Sequence, residues 1–117
     1  MCIRDRAPNV LTVGSTTNTD AESSFSNYGA CVDLLAPGSS IMSSDYTIDT
    51  GMTTKSGTSM ASPHVAGVAA VYLGTNPSAT PATVMTELKN NTTNSVLTMH
   101  KKSRTNGTPN KLLFTNY

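Results

Sequence analysis

Gly57-Thr58-Ser59-Met60-Ala61-Ser62-Pro63-His64-Val65-Ala66-Gly67 constrains the fold more than any other stretch of this 117-residue chain. A glycine turn runs straight into small and apolar residues, so a tight turn opens directly into a helix. Ser59 stands at that junction. Such a turn exposes a hydroxyl on a rigid support beside free backbone N–H groups, which is what acyl transfer requires. A serine that merely caps a helix gives the same local signal. The shorter Gly-x-Ser-x-Gly pattern fails, because Ala61 stands where its second glycine belongs.

After Ser59, the residues Val65, Val68, Ala69, Tyr72 and Leu73 recur at helical spacing, with alanine and glycine between them. A helix apolar nearly all round is expected to run through a core, with Gly74 as its C′ residue. Thr80-Pro81 then supplies an N-cap followed by proline at the first helical position, and Val84 and Leu88 give that second helix its buried stripe. Ahead of the serine, Asn9 to Gly14 and Cys31 to Gly38 read as buried strands, the second stopped by Pro37-Gly38. Ile41 to Ser44 and Gly51 to Ser56 read as a hairpin around an exposed Asp45–Thr50 tip. Phe25 and Tyr28 anchor a loop. Asn90 to Thr98 and Ser103 to Asn110 read as loops, and Lys111 to Phe114 as a terminal strand. Strands interleaved with helices predict an α/β layered fold with no repeat, linker or second domain.

Composition removes several functions. A net charge of +1 with 13% charged residues argues against an electrostatic nucleic-acid or membrane partner, and no apolar run approaches the roughly 20 residues of a membrane span. Nor does the N-terminus carry a signal-peptide pattern. Met1 to Arg6 is expected to be a non-native leader (1–6), leaving 7–117 as one domain. Cys2 and Cys31 leave both a pair and a lone buried thiol open. Asp20, Glu22, Asp45 and Asp49 fall in polar loops and are expected to be solvated. Sequons begin at Asn90, Asn91 and Asn106, in a chain rich enough in Asn and Thr to produce them by chance. Phosphate-loop and zinc spacings are missing.

The run from Gly57 to Gly67 closely resembles the nucleophile segment of the subtilisin-like serine proteases. Phe25-Ser26-Asn27-Tyr28-Gly29 and Leu35-Ala36-Pro37-Gly38 resemble the proteinase K branch, and Asn76-Pro77-Ser78-Ala79-Thr80-Pro81 and Pro109-Asn110-Lys111-Leu112-Leu113 resemble its bacterial secreted members. The resemblance covers about Ala7 to Tyr117. It implies the C-terminal part of a subtilisin-like three-layer α/β/α sandwich with a parallel sheet. It also implies a secreted endopeptidase acting on protein or peptide substrates, monomeric as a whole, with a preference for apolar or aromatic residues before the cut.

In that resemblance Ser59 is the nucleophile that forms an acyl-enzyme, and its own N–H is one oxyanion donor. The base and its orienting carboxylate would come from upstream His-Gly-Thr-His and Asp-x-Gly segments. The first does not occur in this sequence, and the single Asp-x-Gly match, Asp49-Thr50-Gly51, follows the second strand and falls at the hairpin tip rather than upstream. His64 is five residues after Ser59, about 140° round the helix, and the family uses this second histidine for packing. His100 sits in a basic polar loop and reads as a solvated surface residue. The chain alone is therefore expected to be inert, and to be unstable where its apolar helix lacks partners. A non-catalytic pseudo-protease or binding module is the alternative.

The same resemblance implies a structural Ca2+ ion on Asp33, helped by the carbonyls of Pro8 and Val10. One carboxylate with backbone carbonyls and water suits a hard cation. An aspartate bonded to N–H groups at a strand end is the plainer expectation.

Overall fold

Leu34, Leu35 and Ala36 have no exposed surface, and the fold is organised around them. The computed structural model describes residues 9–117, so Met1 to Arg6, expected to be a leader, and Pro8 lie outside the described residues. The strand holding these three residues, β2 (Leu34–Pro37), pairs in parallel with β1 (Val13–Thr16). On its other side it pairs, again in parallel, with β6 (Lys111–Leu113), which carries β5 (Thr92–Asn94) antiparallel at the edge. The sheet order is β1-β2-β6-β5. A separate antiparallel hairpin joins β3 (Ile41–Ser44) to β4 (Met52–Lys55).

Strand side chains alternate between faces, and β2 uses both. Leu34 and Ala36 meet Ala61 and Val65 of α1 (Thr58–Thr75) and Leu88 of α2 (Pro81–Asn90). Leu35 turns the other way, against Val32, Leu97, Met99 and Leu112. That second cluster is built from loop residues and β6 rather than from a long helix, and the short α3 (Lys101–Thr105) follows Met99 in the chain. The result is the α/β fold expected, with a mainly parallel sheet and one antiparallel edge.

Local chemistry explains the elements read correctly. The Thr80 hydroxyl accepts the Thr83 N–H at 3.2 Å, and Pro81 opens α2. The hairpin closes around Asp45, whose carboxylate accepts both the backbone N–H (2.9 Å) and the hydroxyl (2.7 Å) of Thr47.

Four expectations need correction. The first strand lies at Val13–Thr16 rather than at Asn9 to Gly14. Its buried Ser15 is accommodated by hydroxyl bonds, Ser15 to Ser23 at 2.8 Å and Ser23 to Ser39 at 2.7 Å. Next, α1 continues through Gly74 to Thr75 and is capped at Asn76. Among its residues only Ala61 and Val65 are buried, while Val71 stays half exposed, because β1, β2 and α2 cover just one side. The supposed loops contain β5 and α3.

Glu22 is the fourth correction. It is buried, with Oε1 accepting the Ser103 hydroxyl at 2.6 Å and Oε2 the His100 N–H at 2.9 Å. Cys31 is disulfide-bonded, which removes the lone-thiol alternative; Cys2 lies outside the described residues. Within residues 9–117 no helix is long and apolar enough to cross a membrane.

Candidate active site

The turn before Ser59 is fixed from below. The Gly57 N–H donates to the Gly38 carbonyl at 2.8 Å, tying the start of α1 to the end of β2. Gly38 has to be glycine for this approach, since a Cβ there would lie 2.7 Å from the Gly57 carbonyl oxygen and 3.1 Å from the Ala61 methyl. It would also collide with the Ser15 hydroxyl. Sheet, Gly38 and Gly57 thus form one stack that holds the serine turn.

Above this stack the helix begins. Gly57 is the N-cap residue, Thr58 and Ser59 are the first two helical residues, and the Met60 N–H returns to the Gly57 carbonyl at 2.9 Å. The Ser59 N–H has no hydrogen-bond partner among the described residues, as expected of a first-turn donor. Its side chain is exposed and likewise makes no hydrogen bond there. Four residues on, Pro63 has no N–H to give the Ser59 carbonyl. Helix dipole and free N–H together favour negative charge at this point.

Neither histidine reaches the serine hydroxyl. His64 Nδ1 donates to the Met60 carbonyl at 2.8 Å, so the ring is tied back onto its own helix. His100 is the N-cap residue of α3 and gives its backbone N–H to Glu22. His100 is exposed as expected but opens a helix rather than lying in a loop, and the described residues supply no base for Ser59.

A cavity of about 360 Å³ adjoins Ser59, floored by Met60, Pro63 and His64 and walled by the hairpin. The hairpin register pairs Ile41 with Lys55 and Ser43 with Thr53, and these four residues line the cavity. Lys55 is a residue that sequence reasoning passed over, because nothing in a polar hairpin strand marks which face meets a site. Its Nζ lies 5.8 Å from the centre of the Tyr46 ring and has no carboxylate within ion-pair reach among the described residues. Asp45 has its carboxyl held below the usual aspartate range, first by the Thr47 hydroxyl and then by the Thr47 N–H, with Lys55 contributing least.

Asp33 is away from this cavity, at the start of β2. Its Oδ2 accepts the Thr12 N–H at 2.9 Å and its Oδ1 lies 3.2 Å from Lys89 Nζ. Val10 is exposed, and Pro8 falls outside the described residues. No group of three His, Cys, Asp or Glu side chains converges as a metal site within residues 9–117.

The sequence profile of the subtilase family matches residues 3–112. The extracellular serine proteinase of Thermus sp. (strain Rt41A) is 50% identical over 110 residues, which are 94% of this chain and 26% of that protein. The alkaline serine exoprotease A of Vibrio alginolyticus is 53% identical over 104 residues, 89% of this chain and 18% of that one. A crystal structure of a cold adapted subtilisin-like serine proteinase superposes with a TM-score of 0.86 at 49% identity, covering 98% of this chain and 40% of that one. The chain therefore spans about a quarter or less of the length of these curated relatives.

Proposed function

The chain belongs to the subtilase family of serine peptidases, and from that premise we propose that it is the nucleophile-bearing part of a serine endopeptidase, with Ser59 as the nucleophile. The observation that carries this reading is the Ser59 turn itself: an exposed hydroxyl, a free N–H on the same residue and a cavity beside both. Attack by Oγ on a peptide carbonyl puts negative charge on the carbonyl oxygen. The Ser59 N–H and the first turn of α1 are aimed to stabilise it. The amine then leaves, and water releases the acyl group.

The proton of Oγ needs an acceptor, and with His64 tied to Met60 the described residues offer none. We assign the base, its carboxylate and the second oxyanion donor to other segments of the parent protein. The half-exposed side of α1 and the apolar groove of about 420 Å³ lined by Leu11, Val13, Val65, Ala69, Leu73 and Val84 support that assignment. Alone, the chain is a non-catalytic piece. The name of the Thermus relative, an extracellular serine proteinase, supports extracellular action on protein or peptide substrates for the parent protein. An apolar or aromatic preference before the cut is the family expectation.

Calcium at Asp33 remains part of the proposal. The carboxylate suits a hard cation, with Pro8 and Val10 carbonyls as further oxygens, and the ion would stabilise the fold. One oxygen is already engaged by Lys89, so the ion and the ammonium compete.

The test is serine-directed labelling. A fluorophosphonate should modify Ser59 rapidly in a protein that joins this chain to segments supplying a histidine and an aspartate, and Ser59→Ala should abolish both labelling and casein cleavage. The 117-residue chain alone should do neither. Robust Ser59-dependent hydrolysis by the chain alone would overturn the split assignment, and labelling of a different serine would overturn the nucleophile.

A further inference from the structure

We propose that Lys55 makes the cavity beside Ser59 a subsite for an acidic side chain, a glutamate or aspartate flanking the bond to be cut. This deepens the reading of Ser59 as nucleophile and rests on it. The register Ile41↔Lys55 and Ser43↔Thr53 sets Lys55 on the hairpin face that lines the cavity, across from Met60 and Pro63. A side chain entering beside Ser59 therefore passes between an apolar floor and an ammonium group.

Charge decides what suits that space. Lys55 is the one Lys, Arg, Asp or Glu among the described residues lining it, and no carboxylate within ion-pair reach neutralises it there. Asp45 accepts both donors of Thr47 on Oδ1 and acts on Lys55 only from beyond ion-pair distance. Tyr46 offers Lys55 only a ring face at 5.8 Å, a weak contact for a solvated cation. An incoming carboxylate would be the first to reach Lys55 at ion-pair distance among the described residues. The other charged or titratable group at the cavity, His64, donates Nδ1–H to its own helix and presents no negative charge.

The experiment titrates the 15N-labelled 117-residue chain at low ionic strength with two peptides that differ only in one glutamate or glutamine. The amide signals of Thr53, Lys55, Ser59 and Met60 are followed. The glutamate peptide should bind about threefold more tightly, the effect of one exposed ion pair. That preference should vanish in Lys55→Gln, survive in Lys55→Arg and shrink in high salt. Lys89→Gln, remote from the cavity, should leave it intact. Equal affinities for the two peptides, a preference that persists in Lys55→Gln, or no binding of either peptide would each overturn the proposal. Fluorophosphonate labelling reads the Ser59 assignment separately, so failure of one does not mimic failure of the other.

Discussion

The Glu22 carboxylate and the Ser103 hydroxyl, 81 residues apart in sequence, share a 2.6 Å hydrogen bond in the interior. Together with the His100 N–H on the second oxygen, this bond fastens the loop after β1 to the N-terminal end of α3. A carboxylate placed there also complements the free donors of a helix start. Because Glu22 is buried, removing the hydroxyl leaves its Oε1 without a partner in the interior while Oε2 keeps the His100 N–H. Ser103→Ala should cost about 2 kcal/mol of stability, typical of a lost bond to a charged group. Urea titration followed by circular dichroism reads the difference, and an unchanged midpoint would show that water replaces the hydroxyl.

Two glycines should respond in opposite directions to the same change. Gly38→Ala forces a methyl into the contact between Ser15, Gly57 and Ala61 and should cost about 1–3 kcal/mol. It should also displace the Ser59 turn and slow any labelling of Ser59. Gly67 lies within α1 with open space where a Cβ would sit. Gly67→Ala should stabilise the chain by up to about 1 kcal/mol through helix propensity. Thermal melts of the two variants decide the matter; equal effects would mean that the Gly38 contact relaxes freely.

These glycines also show what could be read from the sequence. The Ser59 turn is legible from its glycine-led run, although its support comes from distant Gly38. The Thr80-Pro81 cap and the Asp45 hairpin announce themselves within a few residues, because their hydrogen bonds are local. α3 and β5 do not. Lys101–Thr105 has no apolar periodicity, and the carboxylate at its start comes from Glu22, far away in sequence. Thr92–Asn94 is a strand only because β6 lies beside it. The exposed half of α1 misleads in another way: its pattern describes a helix covered all round, while this chain supplies neighbours on one side. Lys55 escaped notice because its role depends on hairpin register, which composition does not encode.

Asp45 gives a pH-dependent signature of the hairpin. Its carboxyl is held below the ordinary aspartate range, chiefly by the Thr47 hydroxyl. A depressed folded-state value means that the contribution is present above the unfolded aspartate range and lost as pH falls through the folded value. NMR titration of the Asp45 carboxyl carbon should therefore find a midpoint on the acid side of a reference peptide. Thr47→Val, which removes the hydroxyl but keeps the N–H, should move it part of the way back. A midpoint indifferent to Thr47→Val would place the cause elsewhere.

Lys89 and a calcium ion cannot both hold Asp33 at full strength. The ammonium sits 3.2 Å from Oδ1, and a divalent ion drawing on that oxygen would face a positive neighbour. Lys89 is about 40% exposed at its side chain, so it can swing into water when an ion arrives. Without calcium, Lys89→Met leaves the carboxylate with only the Thr12 N–H and should cost at most about 1 kcal/mol, as for other partly exposed pairs. With calcium the sign should reverse. Lys89→Met should bind the ion several-fold more tightly than the unaltered chain by calorimetry, and Asp33→Asn should bind it far more weakly than either. If the unaltered chain and Lys89→Met both give no calcium heat while remaining folded, the Asp33 site is an ion pair and nothing more, and the stabilising role assigned to calcium falls with it.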